Sequence, residues 1–105
     1  MRLTDAEVHQ IIHAMSSFMQ NGGAELRLYG NRLIDKGDDI DLLVVTETVD
    51  YADNLTQLKK IILASLKKHL AQPKIELKIC AKEDVPYDPF LKMILPKSVL
   101  LYRFG

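Results

Sequence analysis

The sequence predicts an α/β (α+β) domain: a small mixed three-stranded sheet packed with two long helices and a short C-terminal helix. Three observations predict it. Two segments, around residues 25–29 and 74–79, alternate polar and apolar side chains at the period of a strand with one buried face. Ile40 to Val45 is a β-branched and leucine run, too short for a typical helix and apolar on both faces, as a central strand would be. Two longer stretches repeat apolar residues at helical intervals. With 105 residues, 48% of them apolar, the chain suffices for one modest core, and residues 1–105 read as a single domain.

Each element has its own local cause. Thr4 followed by Glu7 has capping-box spacing, and Val8, Ile11, Ile12, Met15, Phe18 and Met19 then form an apolar stripe, giving a helix from about Asp5 to Gln20 that Asn21-Gly22-Gly23 ends. Glu25 to Tyr29 is the first strand, closed by Gly30. Ile40 to Val45 follows a polar loop as the second. A long helix is expected from near Asp50, with Leu55, Leu58, Ile62, Leu66 and Leu70 inward and Lys59, Lys60, Lys67 and Lys68 largely outward; Pro73 follows its end. Ile75, Leu77 and Ile79 mark one face of the third strand, Glu76 and Lys78 the other. Asp88-Pro89 supplies an N-cap and a first-turn proline for a short helix through Leu95, stopped by Pro96 before an extended SVLLYRF tail.

Topology then places the polar residues. A short loop between the first two strands favours antiparallel pairing, whereas a whole helix between the second and third favours a parallel crossover. Gly30, Asp39, Asp41 and Glu76 accordingly fall on the same edge of the sheet, with Asp39 and Asp41, two apart, pointing the same way. Paired carboxylates there form a hard-oxygen cation site: a divalent ion relieves their repulsion, and Mg²⁺ commonly joins one or two carboxylates to phosphate oxygens. Taken alone, Asp-Asp-Ile-Asp is more often a structural or solvated strand entrance, and Gly30-Asn31 more often a plain turn.

Charge and composition narrow the function classes. Lysine plus arginine equals aspartate plus glutamate at 14 each, so the basic excess that drives nonspecific nucleic-acid binding is missing and nucleic acid is not indicated as a partner. Cys80 is the single cysteine, which excludes an internal disulfide and suits a reducing compartment. MRLTDAEVHQ lacks the apolar core of a signal peptide and no run reaches the roughly 20 residues that span a bilayer, so the expectation is a cytoplasmic protein with no membrane partner. His9 and His13 have the i, i+4 spacing that can hold zinc, but the sequence shows no third ligand nearby. Arg32 and Lys36 are positioned in the loop for phosphate contacts or as ordinary surface charges.

Leu28-Tyr29-Gly30-Asn31-Arg32, followed by Asp38-Asp39-Ile40-Asp41-Leu42-Leu43-Val44, resembles the strand, Gly-Ser-Arg turn and Asp-x-Asp strand of the minimal nucleotidyltransferases in the DNA polymerase β-like superfamily. Phe90 to Leu95, and then Val99-Leu100-Leu101-Tyr102, look like that family's closing helix and Leu-Tyr ending, so the resemblance covers nearly the whole chain. It implies a nucleotidyltransferase-like fold, catalytic Mg²⁺ (or Mn²⁺) on Asp39 and Asp41 with Glu76 as third carboxylate, and Gly30, Asn31 and Arg32 around the triphosphate of ATP or another nucleoside triphosphate. Asn31 stands where the family has serine, Glu76 where it usually has aspartate, and the loop from Gly30 to Asp39 is shorter than usual. The implied reaction transfers an NMP to a hydroxyl acceptor with loss of pyrophosphate. In toxin-antitoxin pairs, members of the family act on or bind a small helical partner protein; so short a chain has little room for an acceptor-binding domain of its own, which makes such a partner or a homodimer the expected companion.

Two other readings stand beside this one. The same fold with altered loop chemistry would serve as a noncatalytic binding module or antitoxin subunit. Asp41 followed by Glu76-Leu77-Lys78 also matches the acidic pattern of metal-dependent nucleases, more distantly, because a helix separates the two parts and Gly30-Asn31-Arg32 is left unexplained.

Overall fold

A computed structural model describes residues 3–19, 22–30, 39–70 and 74–105. The elements run α1 (Asp5–Ser16), β1 (Ala24–Tyr29), β2 (Ile40–Thr46), α2 (Val49–Gln57), α3 (Lys59–Leu70), β3 (Ile75–Ala81), a 3₁₀ segment (Lys82–Tyr87), α4 (Pro89–Ile94), a second 3₁₀ turn (Leu95–Lys97) and β4 (Val99–Phe104). Asn31, Arg32, Lys36 and Asp38 lie outside the described residues.

Local signals act as expected at the helix starts. The Thr4 hydroxyl accepts from the Glu7 amide while the Glu7 carboxylate accepts from the Thr4 amide, satisfying two donors that a bare helix end would leave open. Asp88 Oδ1 accepts from the amides of Phe90 and Leu91, with Pro89 preset for the first turn of α4.

The sheet order is β3-β2-β1-β4. Strand β1 runs antiparallel to β2, and β2 parallel to β3, as loop length and crossover require. Two expectations are corrected. Among the described residues the sheet has four strands, not three, because the tail Val99–Phe104 pairs antiparallel with β1, from Ala24 against Phe104 to Leu28 against Val99, with an irregularity between Leu26 and Arg27. Its sequence, VLLYRF, lacks clean alternation, and only a partner some 75 residues away in sequence makes it a strand.

The helix expected as one piece from Asp50 to Leu70 is two. Leu58 leaves helical geometry at φ −94°, ψ 3°, and stands 37% exposed instead of facing inward. Just before the break, the Thr56 hydroxyl bonds back to the Ala52 carbonyl at 2.8 Å, a competitor for the helical ladder that commonly bends it. A straight helix over residues 50–70 would measure about 31 Å, as long as the molecule's greatest dimension of 31 Å. Two shorter helices keep both apolar stripes on the sheet.

Both faces of the sheet are covered. On one, Leu26, Leu28, Ile40, Leu42 and Val44 meet Ile11 and Met15 of α1, Leu55 of α2, and Ile62 and Leu66 of α3. On the other, Leu43, Val45 and Cys80 meet Leu91 and Ile94 of α4. Burial on both sides explains why β2 is apolar at consecutive positions. Leu42, fully buried in this central strand, is expected to cost about 2–5 kcal/mol when replaced by alanine, whereas Leu100→Ala on the edge, 41% exposed, should cost well under half as much; urea unfolding of the two variants checks the order.

Candidate functional site

The last rung of the ladder carries the acidic residues. Tyr29 of β1 is the register partner of Asp41, and Asp41 of Glu76 on β3. Direct ladder partners project from the same face, with Cβ atoms about 5 Å apart, so a phenol and two carboxylates stand in a row on the α4 side of the sheet. Asp39, immediately before β2, lines a small cleft with Lys74, Ile75 and Glu76. Gly30, Asp39, Asp41 and Glu76 thus come to one end of the sheet, where the crossover argument puts them. Asn31 and Arg32 belong to the segment outside the described residues.

Gly30 has φ +79°, in the region that glycine enters without strain. It also touches the site: a Cβ built there would run into Asp41 Oδ2. The missing side chain lets the Asp41 carboxylate lie directly against the Gly30 backbone.

Burial holds the Asp41 carboxyl above the ordinary aspartate range, and the negative charges of Glu76 and Asp39 push it further the same way. The Tyr29 phenol is raised by burial first and by Asp41 and Glu76 second. Cys80, on the same face but under α4, is pushed up to about 11, chiefly by burial, so it remains a thiol at neutral pH and is no nucleophile.

Beside the carboxylates a groove of about 490 Å³ follows β3, lined by Tyr29, Lys59, Glu76, Lys78 and Phe90 together with Ile75, Leu63 and Leu77. Phe90 meets Tyr29 edge to face, ring centroids 6.1 Å apart, and Lys78 Nζ lies 5.3 Å from the Phe90 centroid on its face. Sequence reasoning missed these residues. Lys59 reads as one more outward lysine of a helix, and Phe90 as part of a closing helix; only the packing of α3 against one side of β3 and of α4 on the other brings the two beside Glu76. Tyr29 carried a signal in its position, since it directly precedes Gly30 and shares strand parity with Arg27.

Among the described residues, no three His, Cys, Asp or Glu side chains stand together as a ready-made metal site. No described helix is long and apolar enough to cross a membrane. Comparison of the chain with known protein families, curated proteins and solved structures finds no match.

A raised carboxyl binds its proton more tightly in the folded state than in the unfolded chain, so folding loses stability as pH climbs from the unfolded value, about 3.9, into the raised range of Asp41. Asp41→Asn removes that loss. The variant is expected to be more stable than the parent at pH 7, with the advantage fading below about pH 4; thermal unfolding of both proteins from pH 3 to 8 checks it.

Proposed function

We propose that the chain is a nucleotidyltransferase of the minimal kind, transferring an NMP from ATP or another nucleoside triphosphate to a hydroxyl acceptor, with pyrophosphate as leaving group. The supporting observation is the pairing of Asp41 with Glu76 in register, Asp39 beside them, and a glycine against the Asp41 carboxylate where any Cβ would collide with it. Three negatively charged oxygen donors at one strand end suit Mg²⁺ or Mn²⁺ by charge and by hardness. Asp39, Asp41 and Glu76 would hold that cation, which when bound neutralises triphosphate charge and makes an acceptor hydroxyl more acidic.

The chain's own groups have separable tasks in this reading. The bare backbone at Gly30 admits phosphate oxygens close to the carboxylates, and the resemblance of Gly30-Asn31-Arg32 to a triphosphate turn assigns Asn31 and Arg32 to the nucleotide as well. Lys59 and Lys78 supply positive charge along the groove, and the Tyr29-Phe90 pair an aromatic wall. A carboxylate of the row takes the acceptor's proton as the hydroxyl oxygen bonds to the α-phosphorus and the bond to pyrophosphate breaks. The acceptor we assign is a side-chain hydroxyl on a compact helical partner protein, as in toxin-antitoxin pairs, or on a second copy of this chain, in the cytoplasm.

Binding and chemistry are tested apart. Calorimetry with Mg²⁺ and ATP should give saturable heat for the parent and at least about tenfold weaker binding for Asp41→Asn, despite that variant's greater stability. Equal heats for both proteins, or none for either at millimolar ligand, would remove the nucleotide from this site.

With α-labelled nucleotides and an extract of the source cells, transfer to a protein band is expected, reduced about a hundredfold or more by Glu76→Gln. Glu76→Asp, which keeps the charge, should retain part of it. Persistent nucleotide binding with no transfer by any of these proteins would leave the noncatalytic module in place of the enzyme.

A further inference from the structure

On the face of the sheet opposite the carboxylates, α1 and α3 pack side by side, and the chain's three histidines, His9, His13 and His69, all lie on these two helices. His9 and His13 are one helical turn apart on α1, about 6 Å along its axis. The sequence left this pair without a third ligand. Folding supplies one: the rings of His13 and His69 stand 5.6 Å apart between centroids, inclined at 65°.

Two features of this contact point to metal rather than to simple ring packing. His69 Nδ1 lies 2.8 Å from the Ser65 carbonyl oxygen. A carbonyl only accepts, so Nδ1 carries the proton, and in the neutral ring the lone pair is on Nε2; a backbone carbonyl that fixes the tautomer this way is the usual support of a metal-binding histidine. The spacing also fits. Two imidazoles on one tetrahedral Zn²⁺, each nitrogen about 2.0–2.1 Å from the ion, hold their centroids about 5 Å apart.

The helices are tied at this level by the Ser65 hydroxyl, which donates to the Ala14 carbonyl at 3.3 Å, so the two rings sit on fixed supports. All three histidines are solvent-exposed and none enters the core.

We propose that His13 and His69, with His9 as third ligand, form a zinc-binding site that clamps α1 to α3. The rings of His13 and His69 already stand together, and among the described residues no third histidine, cysteine or carboxylate stands with them. His9 completes the set by turning its exposed side chain one turn along α1, and water fills the fourth position. The site is independent of the nucleotidyltransferase reading and uses none of its residues.

The test is a calorimetric titration of tag-free protein with Zn²⁺, paired with thermal unfolding in its presence and absence. A saturable, histidine-dependent Zn²⁺-binding step and a zinc-dependent rise in Tm are expected. His13→Gln or His69→Gln should each weaken binding about tenfold or more and abolish the rise; His9→Gln should weaken it less. Asp41→Asn with Glu76→Gln should leave the histidine-dependent step and the zinc-dependent rise in Tm intact, whatever zinc the carboxylates themselves take up. No histidine-dependent step at submillimolar Zn²⁺ overturns the proposal, as does a rise in Tm that survives the combined His13→Gln and His69→Gln replacement or is lost with the carboxylates instead. These exposed positions tolerate polar substitution, and the circular dichroism of each variant confirms that it is folded before titration.

Discussion

Strands β2 and β3 lie parallel because the α2-α3 crossover returns the chain to the end of the sheet at which β2 began, and most of the other features depend on that pairing. It sets Glu76 beside Asp41 although 35 positions separate them in sequence, and it extends the same register inward through Leu42 with Leu77 and Val44 with Ile79. A slip of one residue would send Glu76 to the helical face and the leucine to the carboxylates. The apolar alternation of β3 therefore guards the acidic row: Ile75 and Leu77 must face α3, so Glu76 cannot.

The row is held against an electrostatic cost. Burial and like charge both disfavour ionised Asp41, and the surrounding core is apolar enough to make that cost felt. In the reading proposed above, a bound cation would offset that cost. The other acidic side chains of the sheet region are disposed differently. Glu25 is paired with Arg27 at 2.9 Å and with Arg103 at 2.7 Å, and Glu47 with Lys82 at 2.6 Å, which lowers the Glu47 carboxyl. These ion pairs are partly or largely exposed and contribute little to stability; their contrast with the acidic row is one of charge balance.

Strand β4 and α4 complete the α4 side of the sheet. Strand β4 covers what would be an open edge of β1, and α4 buries Leu91 and Ile94 over Leu43 and Val45. The same helix leaves Phe90 at the groove, so the segment that closes the small second core also forms one wall of the candidate site. Exposed apolar side chains on this segment, Phe90, Met93 and the nearby Tyr87, are the outer surface of that arrangement.

The sequence by itself determined what depends on neighbours within a turn or a pleat: the Thr4 and Asp88 caps, the strand parity of Leu26, Leu28, Ile75 and Leu77, the pairing directions, and the gathering of Gly30, Asp39, Asp41 and Glu76 at one end. Each follows from the residue types at a helix start, from periodicity or from the length of a connection, and all three are local quantities. Only the tertiary structure decided the fourth strand, the break at Leu58, the Lys59-Lys78-Phe90 wall and the approach of His69 to His13. In each of these the partner comes from a distant part of the chain, or the apolar pattern runs unbroken through the change, and the periodicity of one segment holds no record of which other segment will cover it.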